Sequence, residues 1–166
     1  LHRVKNTRGV KIPAGVDDGS QIRITGEGDH GPRGGPAGNL YVELRVKPHD
    51  VFKRVDDALV YDLALNIAQA SLGTDVEIPT IDGDPVELKL KPGIQHGQVH
   101  VIRGKGVPHL RGGQRGDLLV RTHVVTPQRL TKAQKELLTK LAESLGTPEV
   151  PEEDNSVFDR IRSAFS

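Results

Sequence analysis

Three patterns in this sequence place reactive or ligand-holding residue types at suggestive spacings. Gly26-Glu-Gly28-Asp-His-Gly31 has the literal spacing of a dinucleotide-binding glycine fingerprint. That chemistry needs a helix immediately afterwards, because the helix N-terminus holds the pyrophosphate. Pro32, Gly34, Gly35 and Pro36 come next instead, and then a strand pattern, so the segment reads as a glycine-rich hairpin connection. His96 and His100 are four residues apart, but they straddle Gly97 with no carboxylate or cysteine cluster beside them. They lack the donor set of a metal site and read as solvated surface histidines. Asp17-Asp18 and Asp56-Asp57 pair carboxylates in turn contexts. No Gly-x-Ser-x-Gly elbow, His-Glu-x-x-His pair or phosphate loop occurs, so the residues support binding rather than catalysis.

Composition narrows the class further. The 166 residues carry a net charge of +1, with 19 glycines, 11 prolines and no cysteine, methionine or tryptophan. The absence of cysteine excludes a disulfide framework, a zinc ribbon and a cysteine nucleophile from this chain. Near-zero charge argues against a nucleic-acid partner, and no run of 18 apolar residues offers a membrane span. Leu1 to Arg8 is polar and basic, unlike a signal peptide. The missing methionine, including a starting one, points to a piece of a longer polypeptide. Two tyrosines and three phenylalanines are too few to build a core, so Val, Leu, Ile and Ala must do so.

The chain repeats itself. Gly15-Val-Asp-Asp-Gly19-Ser-Gln-Ile-Arg-Ile-Thr-Gly26-Glu-Gly28 aligns with Gly93-Ile-Gln-His-Gly97-Gln-Val-His-Val-Ile-Arg-Gly104-Lys-Gly106 at an offset of 78. The offset continues from Gly34-Gly35 onto Gly112-Gly113, and from Gly38-Asn-Leu40 onto Gly116-Asp-Leu118. Shared glycines imply backbone that turns tightly or approaches closely. The aliphatic alternation aligns as well, so the repeat reads as two copies of one β-unit. Leu59 to Leu90 precedes copy two, whereas only Leu1 to Ile12 precedes copy one, so the first copy is expected to be truncated.

The spacing predicts strands over 10–12, 21–25, 40–46, 59–65, 76–78, 86–90, 99–102 and 118–125. Asp82-Gly83 is a hairpin signal, and 66–72 allows one or two helical turns stopped by Gly73. Thr131-Lys-Ala-Gln134 is a capping box ahead of Leu137, Leu138, Leu141 and Leu145 at helical spacing. Gly146 occupies the expected αL position and Pro148 closes the helix. An acidic, proline-bearing linker then leads to a shorter apolar stripe at Val157, Phe158, Ile161 and Phe165.

Pro13-Ala-Gly15-Val-Asp-Asp-Gly19, Gly26-Glu-Gly28 and Gly38-Asn-Leu40 together resemble the C-terminal region of DnaJ-family co-chaperones. Pro48-His49-Asp-Val-Phe52-Lys-Arg54 is similar to that family's link between two β-domains. Ala70-Ser-Leu72-Gly73, Ile78-Pro79-Thr-Ile81-Asp82-Gly83, Gly104-Lys-Gly106-Val-Pro108 and Arg111-Gly112-Gly113 to Leu118 resemble its second domain. The match runs in order over residues 1 to about 146. Departures are equally clear. The J-domain's His-Pro-Asp signature is absent, Pro48-His49-Asp50 being a scrambled lookalike. The zinc-binding cysteine repeats are absent too; zinc belongs, if anywhere, to the parent protein. Val55-Asp56-Asp57-Ala58-Leu59 stands where the family often has Asp-Gly-Asp-Asp-Leu.

The resemblance implies an all-β fold of two tandem β-sandwich-like domains related by the internal repeat, followed by a C-terminal α-helix. The expected organisation is a truncated client-binding domain over 1–55, a second β-domain over 56–130, a dimerisation helix over 131–146, and a linker with an apolar tail over 147–166. Expected peptide-contacting residues are Val10, Ile12 and Phe52, with Leu88, Leu90 and Leu130 as a second site; the alternative is that all six are core. Leu137, Leu138, Leu141 and Leu145 are expected to pair two chains, or else to cap their own domain. The implied partners are unfolded polypeptide and a DnaK-type chaperone, in the cytoplasm, with no cofactor in this chain. The competing function is a structural β-repeat scaffold.

Overall fold

The computed structural model describes residue 7 and residues 9–32, 35–110 and 112–148. The apolar stripe at 157–165 lies outside them. Two compact units emerge: Leu1–Leu59 with Ile102–Leu118, and Val60–Val101 with Leu119–Ser166. The expected boundary at 55/56 placed Ile102–Leu118 with the second domain, whereas packing groups that segment with the first unit.

In the first unit, β1 (Gln21–Ile24) leads through a small hairpin of β2 (His30–Gly31) and β3 (Gly35–Ala37) to β4 (Leu40–Glu43). β1 and β4 pair antiparallel, setting Ile22 opposite Val42 and Ile24 opposite Leu40. β5 (Phe52–Val55) turns back at Asp56-Asp57 into β6 (Ala58–Asn66). Asp56 adopts φ 51° there, a conformation that Asp tolerates in turns. The Ile102–Leu118 segment joins this hairpin: Leu59 N–H donates to the Asp117 carbonyl at 3.0 Å, and Val107 N–H to the Asp57 carbonyl at 2.9 Å. Two expected strands are corrected. Residues 10–12 form no strand, since a three-residue alternation ending at Pro13 offers too few ladder donors to hold a neighbour. The strand over 40–46 stops at Glu43, because the Val46 amide is taken by the Asp18 carboxylate at 2.8 Å.

In the second unit, β6 runs into α1 (Ile67–Leu72). Asn66 caps α1, accepting from Gln69 N–H at 2.8 Å while the Gln69 side chain accepts from Asn66 N–H at 3.1 Å. β7 (Thr74–Ile78) and β8 (Val86–Leu90) form a hairpin with Val76 opposite Leu88 and Thr74 opposite Leu90. β9 (Val99–Ile102) and β10 (Leu118–Val125) complete the strands, with β6, β10 and β9 adjacent in that order and β9 outermost. Leu63, Leu65, Ala70, Ile78, Leu90, Ile94, Val120 and Thr122 are buried. The core is thus aliphatic, as the composition requires. Each fully buried side chain of this kind contributes about 1.5–3 kcal/mol. Beyond it, α2 (Lys132–Leu145) starts at the Thr131–Gln134 capping box. Gly146 ends α2 at φ 70° but ψ −156°, so the helix stops on a positive-φ residue outside the expected αL region.

The repeat extends to individual hydrogen bonds. Gly19 N–H donates to the Leu44 carbonyl at 2.9 Å, and Gly97 N–H to the Thr122 carbonyl at 2.8 Å. Leu44 N–H returns to the Ser20 carbonyl, and Thr122 N–H to the Gln98 carbonyl. Gly28 N–H donates to the Gly38 carbonyl at 2.9 Å, and Gly106 N–H to the Gly116 carbonyl at 2.8 Å. Every partner in copy two lies at the same offset from its partner in copy one. At Gly116 the approach leaves no room: a Cβ would stand 1.9 Å from the Asp57 carbonyl oxygen. Gly104 differs, with φ 69° and open space around a notional Cβ. Gly116→Ala is therefore expected to cost about 3 kcal/mol in urea denaturation. Gly104→Ala is expected to cost about 1 kcal/mol, for its backbone conformation alone.

Candidate peptide-binding surfaces

Arg54 organises the first unit. Its Nη1 donates to the Val16 carbonyl at 2.7 Å and its Nη2 to the Gly15 carbonyl at 3.0 Å. Nε donates to the Asp56 carbonyl at 2.8 Å, and Nη2 also pairs with the Asp17 carboxylate. One planar guanidinium thus ties the Gly15–Asp17 loop to the β5–β6 turn, which a lysine could not reproduce. Gly15 packs closely here, a Cβ on it falling 2.0 Å from the Pro108 carbonyl oxygen. Nearby, His109 Nδ1 lies 2.6 Å from Asp57 Oδ2. His109 occupies the repeat position of Gly31, so copy two has a ring beside the Asp57 carboxylate where copy one has a glycine.

The three residues expected at the first peptide site have different surroundings. Val10 is half-buried and Ile12 is 56% exposed, both in chain outside any strand. Phe52 opens β5 and is 5% exposed. Its ring lies 5.2 Å from the His49 ring, and His49 Nδ1 accepts from the Val51 and Phe52 amides at 3.1 and 3.3 Å. Phe52 is therefore part of the folded unit's interior, while Ile12 presents its side chain to solvent. On β1–β4, Leu40 and Tyr41 are also exposed.

The second set divides similarly. Leu88 is half-buried on the β7–β8 face, Leu90 is buried, and Leu130 is exposed beyond β10. The opposite face of the same hairpin is charged, with Asp75 opposite Lys89 and Glu77 opposite Glu87. On β6 and β10, Asp62 Oδ1 receives Arg121 Nε at 2.8 Å and lies 3.0 Å from His123 Nε2. His96 meets His123 edge-on at 5.0 Å. His100 is half-buried with its Nε2 sealed and unpaired, and desolvation holds its pKa below the ordinary value. Of the two histidines expected to be solvated, His96 is exposed and His100 is half-buried. Among the described residues no group of three or more His, Asp or Glu side chains could hold a metal. Nor is any described helix long and apolar enough to cross a membrane.

On α2, Leu137, Leu141 and Leu145 are exposed and Leu138 is half-buried; no residue of the helix is buried. Three of the four leucines of its stripe are thus exposed.

A family model described as the DnaJ C terminal domain matches residues 2–127. The chain belongs to this family. A second model, the chaperone protein DnaJ C-terminal region, matches residues 133–166, from the first turn of α2 to the last residue. Among similar proteins is the chaperone protein DnaJ of Roseiflexus sp., 51% identical over 98% of this chain and 45% of the relative. Those of Exiguobacterium sibiricum and Brevibacillus choshinensis are 47% and 48% identical, over 95% and 98% of this chain. The chain spans 42% and 44% of those two relatives, less than half of each. The resemblance read from the glycine motifs is therefore correct, and so is the β-rich fold with a C-terminal helix.

Arg54 was visible in sequence only as the end of the Pro48–Arg54 motif. Its acceptors at Gly15, Val16 and Asp17 lie 37 to 39 residues away, beyond any local pattern. Arg54→Lys is expected to lower stability by about 1–3 kcal/mol, since several carbonyl acceptors lose their donor together. Urea denaturation gives the magnitude. Hydrogen exchange should localise the loosening to residues 15–18, and unchanged protection there would refute the clamp.

Proposed function

We propose that this chain is the client-binding and dimerising part of a cytoplasmic DnaJ-type co-chaperone, which holds unfolded polypeptide for delivery to a DnaK-type partner. The observation that carries this reading is a pair of two-stranded sheets, β1–β4 and β7–β8, each with an aliphatic face and with strand edges unpaired among the described residues. Open edges invite pairing with another extended chain. A protein that uses them adds a client as a further strand, with main-chain hydrogen bonds giving affinity and side-chain pockets giving selectivity. Such recognition tolerates many client sequences. Membership of the DnaJ C-terminal domain family supports the same reading.

In this proposal Val10 and Ile12 contact the client and Phe52 supports them from within. Leu88, Leu90 and Leu130 serve a second site in the same way. The stripe Leu137, Leu138, Leu141 and Leu145 is covered by the same stripe of a second chain, a two-fold contact. Two modest sites on one dimer then gain avidity through effective concentration.

Suppression of the aggregation of a denatured protein tests the function; a scaffold module would leave aggregation unchanged. In titration of a labelled unfolded peptide, Ile12→Ser should weaken binding severalfold. It should leave the denaturation midpoint within about 0.5 kcal/mol of wild type, since surface substitutions cost little. Leu141→Asp should convert a sedimenting dimer to a monomer; a wild-type chain already monomeric at tens of micromolar would refute the pairing.

A further inference from the structure

The two copies of the repeat differ sharply at one buried-facing position. His100 stands where copy one has Ile22, which pairs across its sheet with Val42. A titratable ring thus fills a slot that the repeat otherwise gives to an aliphatic side chain. His100 Nε2 is buried and has no hydrogen-bond partner. Partial burial also lowers its pKa from the ordinary value of 6.5, because desolvation disfavours the charged ring.

The surroundings offer no relief. β10 carries Arg121 and His123, and β6 carries Asp62; these three are joined to one another at 2.7–3.0 Å. They alternate along β10 with Val120 and Thr122, which are fully buried. His96, before β9, packs against His123 rather than His100, and Arg103 after β9 can only repel an imidazolium. Among the described strands β9 is outermost, with β10 its one strand neighbour. Its entry is held by the Gly97-to-Thr122 and Thr122-to-Gln98 backbone bonds, at 2.8 and 2.9 Å.

We propose that His100 is an acid-sensitive latch: proton uptake by its ring releases β9 from β10 and exposes the β10 edge. A protonated Nε2 requires an acceptor or water, and detachment of the outermost strand supplies water at the least structural cost. The sign is set by the lowered value. The closed state favours the neutral ring, so the latch is fully shut above the ordinary histidine pKa and opens as pH falls through the lowered one.

Amide hydrogen exchange on the full chain, corrected for intrinsic rates, tests the latch between about pH 7.5 and about pH 5. Protection of residues 99–101 should fall in acid relative to residues 21–24 of the same molecule. His100→Ile, which installs the residue of copy one, should abolish that fall, whereas His123→Gln should preserve it. A pH-independent β9, or the same acid response in His100→Ile, would overturn the proposal. Should that variant not fold, the His100 ring resonance in the wild-type chain decides the matter. A midpoint below 6.5 coinciding with β9 opening supports the latch, and one at or above 6.5 refutes it.

Discussion

In each copy of the repeat, two stretches of backbone meet where no side chain fits. Gly28 N–H reaches the Gly38 carbonyl in the first copy, and Gly106 N–H reaches the Gly116 carbonyl in the second. A Cβ at Gly28 would lie 2.6 Å from the Asn39 carbonyl oxygen, and one at Gly106 2.5 Å from the Gly116 carbonyl carbon. These closures bring the strands before and after the glycine-rich connection side by side. In the first copy that sets the β1–β4 register, with Ile22 opposite Val42. The aliphatic faces, and the strand edges that flank them, depend on this close approach.

With few aromatics available, the interior is built from branched aliphatics and from polar groups that satisfy one another. Thr122 is fully buried where copy one has Leu44. Its hydroxyl lies 3.0 Å from the carbonyls of both Gln95 and Gln98, so the buried oxygen is not left unpaired. Arg54 does comparable work in the first unit, answering the Gly15, Val16 and Asp56 carbonyls with one side chain. His100 Nε2 is the exception among the described side chains, a buried nitrogen with no hydrogen-bond partner.

Membership of the DnaJ C-terminal domain family gives a context for what the single chain leaves open. The two-stranded sheets and the leucine stripe of α2 are features that an isolated, self-sufficient domain would bury. Phe52 shows the converse. As one of three phenylalanines it stands out in sequence, yet it is almost fully enclosed beside His49. Supporting a surface and contacting a ligand are different duties, and a prominent motif residue can perform the first without the second.

Much of the fold was legible because its signals are local or periodic. The offset of 78 between glycines revealed the two copies, whose backbone hydrogen bonds recur at that offset, and Thr131-Lys-Ala-Gln134 marked the start of α2. The same motifs carried the family assignment. Short alternations were less reliable: 10–12 has the right residues for a strand but no ladder, and 40–46 ends early because Asp18 captures the Val46 amide. The sequence by itself determined the repeat, the turns, the helix cap and the family, since backbone conformation and capping depend on neighbours in the chain. Tertiary structure alone decided that Arg54 clamps a distant loop, that Phe52 is enclosed, and that His100 Nε2 is buried without a partner. Burial and hydrogen-bond satisfaction depend on residues tens of positions away, which no local pattern encodes.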